Sequence, residues 1–354
     1  MLALLEPGDE VVLPDPVYVG LVNRVLLAGG VPRFVPCEIV DGVWRLDRDA
    51  VAGAVGPRTR AFLMMSPTMP SGCVFDRADW ETVCAACVEA GAWMVYDAAM
   101  ERILFDGAEP LHPAGFPGMA ERSITVGSVS KEQRMIGWRV GSIVAPPEIV
   151  PDLKLVSISN TCTNVGIAQA AAAVALRAPD SDVAAATAEW QRRRDAILAE
   201  LDGWPVVRPE GGWSLLVDVA RLGMTGTEAS ARLFERSKVA ATPMTGWGSE
   251  RSAGYLRLVY SNEPGCARSS SARSAEPGRA PPPGRRGRRR RRAPNGRGGP
   301  ELRARRAARP ASRRRRSRSG SPRGSPRGRR RGPVRGRRRR RRASGGWTGG
   351  GGSW

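Results

Sequence analysis

The sequence predicts an α/β protein: a largely parallel central sheet flanked by helices, then a small, incomplete α+β domain and a disordered arginine-rich tail. Three observations predict it. Short β-branched runs alternate with helical stretches over residues 1–205, the pattern of strands joined by helical crossovers. From Pro205 onward that alternation gives way to strands and one helix, which sets a smaller domain at 206–264. From Gly265 to Trp354 the chain holds 32 arginines, two acids and no lysine, a net charge of +30 on a Gly, Pro and Ser background. Residues 1–264 carry 24 basic and 32 acidic groups, so the globular part is acidic, at −8, and the whole-chain charge of +22 describes an appendage.

Taken in order, Glu10–Leu13 reads as a strand that leaves through Pro14-Asp15-Pro16. Leu21–Ala28 reads as a helix stopped by Gly29-Gly30, and Pro32–Val35 as the next strand. Asp47–Val55 is helical, and Arg60–Met65 is a buried strand running into the turn Ser66-Pro67-Thr68-Met69-Pro70-Ser71-Gly72. Asp76 is placed to cap a helix through Ala90. Ala92–Tyr96 forms a strand ending at Asp97, and Ser123–Gly127 and Val140–Val144 form two more. Helices are expected at about 147–157, 165–177 and 181–202. In the second domain Gly211–Asp218 is a strand, Thr227–Arg236 a helix and Tyr255–Tyr260 a strand. Beyond Asn262 almost nothing is apolar, so no core offsets the ordering entropy and residues 265–354 should be disordered.

Composition removes several classes. No apolar run approaches the roughly 20 residues that cross a bilayer. Met1-Leu-Ala-Leu-Leu-Glu-Pro lacks the basic start of a secretory signal. Six cysteines spread over 354 residues make no disulfide framework, which points to a reducing cytoplasm. Cys84 and Cys87 sit in a helical pattern with only His112 as an imidazole, so they read as buried thiols rather than a zinc site, which needs a second ligand pair.

The chemistry-bearing candidates lie where strands end. Lys131, one of three lysines, follows an apolar strand in Gly127-Ser128-Val129-Ser130-Lys131. A lysine there can form a Schiff base with a carbonyl; the alternative is a solvated loop residue. Asp97 ends its own strand at the carboxyl edge, where open α/β sheets bind ligands. A buried carboxylate there needs a cationic partner, such as the protonated ring nitrogen of pyridoxal phosphate, unless it caps the next helix. Arg139, in Gly137-Trp138-Arg139-Val140-Gly141, has a guanidinium suited to a phosphate or to a surface ion pair, and the Ser128 hydroxyl can serve the same phosphate. Arg257 sits in the alternating strand Tyr255-Leu256-Arg257-Leu258-Val259: on the buried face it is a carboxylate fork, on the other it is solvated.

With these residues the chain resembles the fold-type I, class I/II aminotransferases, related to aspartate and aromatic aminotransferases. The matching stretches are Pro7-Gly-Asp-Glu-Val-Val-Leu-Pro-Asp-Pro-Val-Tyr18, Ser66–Gly72, Val95-Tyr-Asp97, Ser128-Val-Ser-Lys131, Arg139-Val-Gly141, Gly211-Gly-Trp-Ser-Leu and Tyr255-Leu-Arg257-Leu, over about residues 1–263. The resemblance implies a pyridoxal 5′-phosphate enzyme that moves an amino group between an amino acid and a 2-oxo acid. It implies Lys131 as the Schiff-base lysine and proton carrier, Asp97 as partner of the ring nitrogen and Tyr18 on the ring face. Ser128 and Arg139 would bind the phosphate, and Arg257 the substrate α-carboxylate. A homodimer is implied as the working form.

The chain departs from that pattern at two cofactor positions. Met69 stands where the family has Asn, and Met100 where it has Tyr; a thioether accepts weakly and donates nothing. Thr68, Ser71, Glu101 or a water would then have to serve the cofactor's 3′-oxygen, or the chemistry is another reaction of the same Schiff base, a lyase or decarboxylase. Family members also carry about 100 residues before the counterpart of Pro7, including a helix N-terminus that cradles the phosphate. The resemblance thus implies a chain that starts after that cradle, with Met1–Glu6 as the last turns of its helix. The tail's composition matches an out-of-frame reading of GC-rich DNA, placing a frameshift near Pro264. Its rival is a true polyanion-binding arm in a nucleic-acid-binding protein, with affinity falling steeply in salt. Tyr18, Trp138 and Trp213 are candidate aromatic pocket walls.

Overall fold

The computed structural model describes residues 1–261; the arginine-rich tail and the frameshift expected near Pro264 lie outside the described residues. Strand β1 (Glu10–Asp15) is buried at all six positions, which is why it reads as an uninterrupted apolar run. It continues to Asp15, past the predicted end at Leu13. Its partner β4 pairs only as far as Val12, so Pro14, which has no N–H to give, lies beyond the β4 ladder. Helix α1 (Val19–Leu27) returns the chain to β2 (Val31–Val40), longer than predicted, and a hairpin adds β3 (Val43–Leu46), which the sequence reading lacked.

Asp47 then caps α2 (Arg48–Ala54) by accepting from Ala50 N at 3.1 Å. Strand β4 (Thr59–Met64) follows. Asp76 opens α3 (Arg77–Glu89) with a reciprocal box, each of Asp76 and Asp79 accepting from the other's backbone N–H. Cys84 and Cys87 lie buried on α3, and burial pushes both thiols up to about 12. Strands β5 (Trp93–Asp97), β6 (Ser123–Ser128) and β7 (Gly141–Val144) complete the sheet. Helices α4 (Val150–Asn160), α5 (Gly166–Arg177) and α6 (Ser181–Glu200) follow, as the sequence predicts.

The seven-stranded sheet runs β3-β2-β1-β4-β5-β6-β7, parallel through β2-β1-β4-β5-β6 with an antiparallel strand at each edge. Two cores cover its faces by simple alternation. Phe62, Met64, Met94 and Tyr96 point to one side with Trp80 of α3; Ala61, Leu63 and Val95 point to the other with Leu21 and Val25 of α1. Each fully buried large side chain contributes roughly 1.5–3 kcal/mol. Strand order reverses between β1 and β4, so the crevice at their carboxyl ends is the topological switch point.

A second, antiparallel sheet is ordered β10-β11-β9-β8. It contains β8 (Val206–Val207), β9 (Ser214–Asp218), β10 (Thr242–Pro243) and β11 (Tyr255–Val259), with α7 (Gly226–Ser237) between β9 and β10. Gly211, predicted to start β9, instead bridges Leu104, and a Cβ there would fall 2.6 Å from the Ile103 carbonyl oxygen. Among the described residues no helix is long and apolar enough to cross a membrane.

Candidate active site

Parallel pairing of β5 and β6 sets Asp97 opposite Val126, so both strands deliver their last residues to the same edge. Burial pushes the Asp97 carboxyl up, against a backbone hydrogen bond from Ala99 N (3.1 Å) and the positive charges of Lys131 and Arg24. The carboxylate thus caps a local turn rather than a helix, and Lys131 is near enough to act on its ionisation. Lys131 is half-buried and its loop is bolted down by the next residue. Glu132, itself buried, accepts from Arg102 N at 3.1 Å and from Arg102 Nε at 2.7 Å. Arg102 also reaches Asp180 at 2.7 Å, so an ion-pair chain ties the lysine loop to the turn after Asp97 and to the start of α6. Neither Arg102 nor Glu132 is a predicted site residue; the adjacency of Glu132 to Lys131 was the one signal available.

Arg257 lies on β11 facing inward. Its Nε and Nη1 are buried and have no hydrogen-bond partner, and that burial pulls its pKa down. Its guanidinium carbon stands 4.9 Å from the ring centre of Trp247, and Trp247 meets Tyr18 edge-on at 5.6 Å and 62°. Tyr18 precedes α1, and its ring crowds Gly20, where a Cβ would sit 2.4 Å from the Tyr18 ring. The structure therefore joins Tyr18 and Arg257 through Trp247, a residue absent from the sequence-based set. Trp138 is 45% exposed and Trp213 packs on Trp190 at 6.3 Å, so neither is seen against the Tyr18–Trp247 pair.

The predicted phosphate side is more open. Ser128 ends β6 with its Oγ accepting from Ser130 N at 3.1 Å. Arg139 is exposed, holds a left-handed backbone (φ 55°) and donates one N–H to Ile136 O at 2.9 Å. Met69 is half-buried, and Met100 is fully buried with its Cε over Gly212. Of the residues expected to compensate for them, Thr68 and Ser71 hydrogen-bond each other, and burial together with Glu132 raises the Glu101 carboxyl. A cleft of about 440 Å³ lined by His112, Thr125 and Pro146, and another of about 250 Å³ lined by Glu10, Arg33 and Arg58, contain none of the predicted site residues.

Pyridoxal phosphate fits what is here at both ends of a reacting substrate. A half-buried carboxylate whose ionisation a nearby lysine charge favours suits a protonated heterocycle that carries an aldehyde, and a guanidinium with buried, unpartnered Nε and Nη1 suits a carboxylate.

Comparison with known proteins gives the family. The family model described as aminotransferase class I and II matches residues 1–266. The chain is 36% identical over 259 residues to an arginine–pyruvate transaminase of Pseudomonas aeruginosa, covering 72% of this chain and 65% of that protein. It is 33% identical over 262 residues to an aspartate aminotransferase of Pyrococcus abyssi, covering 73% and 67%. Among solved structures, N-succinyldiaminopimelate aminotransferase from Mycobacterium tuberculosis superposes with a TM-score of 0.73 at 32% identity, over 77% of this chain and 72% of that one. The chain thus spans about two thirds of the length of the curated relatives it matches. With fold, residue order and identity in agreement, the chain belongs to the class I and II aminotransferase family.

Proposed function

We propose that the protein is a pyridoxal-phosphate-dependent aminotransferase that moves an amino group between an amino acid and a 2-oxo acid. The observation that carries this reading is the half-buried Asp97 carboxylate at the carboxyl edge of β5, on the same sheet edge as the Lys131 loop that follows β6. When bound, the cofactor supplies an aldehyde carbon and a ring that withdraws electrons. The Lys131 amine holds that carbon and, when free, moves a proton at the substrate Cα. Asp97 keeps the ring nitrogen protonated, and burial helps, because a desolvated carboxylate binds a cation more strongly than one in water. Tyr18 would offer an aromatic surface to the cofactor, Ser128 and Arg139 would hold its phosphate, and Arg257 would take the α-carboxylate. Met69 and Met100 would border the cofactor's 3′-oxygen and give it no donor.

We also propose residues 1–205 as the cofactor-binding domain, 206–264 as part of a smaller domain, and a cytoplasmic homodimer as the working form. Ile143, Val144, Leu155, Ile158, Ile167 and Val174 are each more than half exposed in the single chain, an apolar surface of the kind that partners cover. Light scattering of the full-length chain checks the dimer, with a monomeric mass counting against it. Enzyme activity is tested by incubating the chain with pyridoxal phosphate, reducing with borohydride and mapping the modified peptide. Modification at Lys131, its loss in Lys131→Ala, and amino transfer by the parent are expected. Modification elsewhere, or transfer that survives Lys131→Ala, refutes the assignment.

A further inference from the structure

Asp15 ends β1 at the switch point and is 2% exposed, yet no arginine or lysine pairs with it among the described residues. Both hydrogen bonds to its carboxylate come from Ser249, from the backbone N–H at 3.1 Å and from Oγ–H at 2.5 Å. Two residues further along, Val17 N donates to Trp247 O at 2.9 Å. The residue between these anchors is Gly248 at φ 138°, where a Cβ would fall 1.9 Å from Asp15 Oδ1. The 247–249 segment is therefore clasped against the end of β1 at both sides. Ser252 secures it from below, donating N–H and Oγ–H to Ser249 O at 3.1 and 2.8 Å. An apolar side chain would close this junction without the desolvation penalty of a carboxylate. What the carboxylate adds is direction, because its two oxygens fix both donors of Ser249 and hence the orientation of the adjoining Trp247.

We propose that Asp15 is a positioning residue for the carboxylate site: through Ser249 it holds the Trp247 ring between Tyr18 and Arg257, and so aims the unpartnered guanidinium at a substrate carboxylate. The inference rests on the reading of Arg257 as the α-carboxylate grip. The Arg257 guanidinium is given no hydrogen-bonded anchor for its Nε and Nη1, so the Trp247 face is the contact that limits its rotation. Asp15 itself acts through Ser249, to which its carboxylate is hydrogen-bonded at both oxygens.

The test is protection of Arg257 from phenylglyoxal by pyruvate, read by peptide mass spectrometry on the full-length chain with and without pyridoxal phosphate. In Ser249→Ala and Asp15→Asn the pyruvate concentration for half-protection should rise about tenfold, the effect of losing one hydrogen bond to a charged group. Steady-state KM for the 2-oxo acid should rise equally with kcat within about twofold, the mark of lost binding rather than lost chemistry. Trp247→Phe should keep most protection and Trp247→Leu should lose it, which keeps the test valid if an Asp15 variant does not fold. Unchanged half-protection in Ser249→Ala and Trp247→Leu overturns the proposal, as does an equal fall in kcat. Failure of borohydride to fix cofactor on Lys131 in the parent instead counts against the aminotransferase reading, and the cofactor-free protection arm still decides the role of Asp15.

Discussion

Arg194 and Arg257 are both arginines withdrawn from water, and their surroundings are opposite. Arg194 on α6 is 1% exposed and fully served: it grips Asp106 with two parallel bonds of 2.7 and 3.0 Å, donates Nε to Asp195 at 2.8 Å and Nη1 to Pro209 O at 3.1 Å, and lies 4.8 Å from the Phe105 ring centre. Although burial acts to lower its pKa, these partners raise it overall. Arg257 has an aromatic face on one side, no partner for two of its nitrogens, and a lowered pKa. Burial alone therefore marks nothing. A buried charge with its bonds filled belongs to the fold, and one with its bonds open is a candidate for binding a ligand.

The largest effect should come from the satisfied arginine. Arg194→Met leaves Asp106 with exposed Arg208 and a 3.2 Å bond from Gln191 Nε2, and removes the link from α6 to the loop at Pro209, so urea unfolding should report about 3 kcal/mol of lost stability. Arg257→Met should do the reverse. It removes a desolvated cation whose Nε and Nη1 have no hydrogen-bond partner, so the unfolding midpoint should hold or rise, while KM for a carboxylate substrate increases about a hundredfold. A large stability loss in Arg257→Met together with an unchanged KM would erase the distinction between the two residues.

Asp97 carries the same comparison to an acid, with a smaller effect. Its pKa is raised in the folded chain by burial, so the folded state binds the proton more tightly than the unfolded state does. In the cofactor-free protein, ionised Asp97 then lowers stability, in a penalty that develops as pH rises from the unfolded carboxyl's pKa of about 4 through the folded one. Asp97→Asn should therefore stabilise the cofactor-free chain at pH 7 and give no gain below about pH 4, where both forms are neutral. Melting curves across that range test the sign, and a gain that persists at low pH would show that packing, not charge, is responsible.

These contrasts also show what could be read from the residues in order. The alternation of runs gave the parallel sheet, and the ends of its strands gave Asp97, Ser128 and Lys131, because those signals are local. The β2–β3 hairpin was readable but missed: Asp41-Gly42, at φ 50° and 78°, is the two-residue turn that hairpins favour, set between Ile39-Val40 and Val43-Trp44. Strands β8 and β10 have two residues each and no pattern long enough to detect. Asp15 and Ser249 are 234 positions apart, and nothing in either neighbourhood names the other. Arg257 lay on a strand of known alternation, but its missing partners, the feature that matters, exist only after folding. Trp247 was hidden for the same reason, since tryptophan in a Gly-rich loop carries no period.

The smallest expected effect concerns a place where a polar group is wanting rather than waiting. Met69 is half-buried in the turn between Ser66 and Gly72, and its neighbours Thr68 and Ser71 hydrogen-bond each other, which occupies one of their two O–H donors. The turn is independently fixed by Thr68 N to Cys73 O at 2.7 Å and Gly72 N to Thr68 O at 2.8 Å, so a side-chain change at 69 should leave its backbone in place. Met69→Asn is smaller, which a half-buried position tolerates, and adds an amide donor. One neutral hydrogen bond is worth about 1 kcal/mol, so affinity for pyridoxal phosphate should improve about fivefold, measured by fluorescence titration. Met100→Tyr is the less favourable repair, because Met100 is fully buried against Gly212 and a larger ring would overpack that contact at a cost of about 1–3 kcal/mol. Equal or weaker cofactor binding in Met69→Asn would mean that the thioether position does not border the cofactor, and the open donors of Arg257 and the half-buried charge of Asp97 would then have to define the site without it.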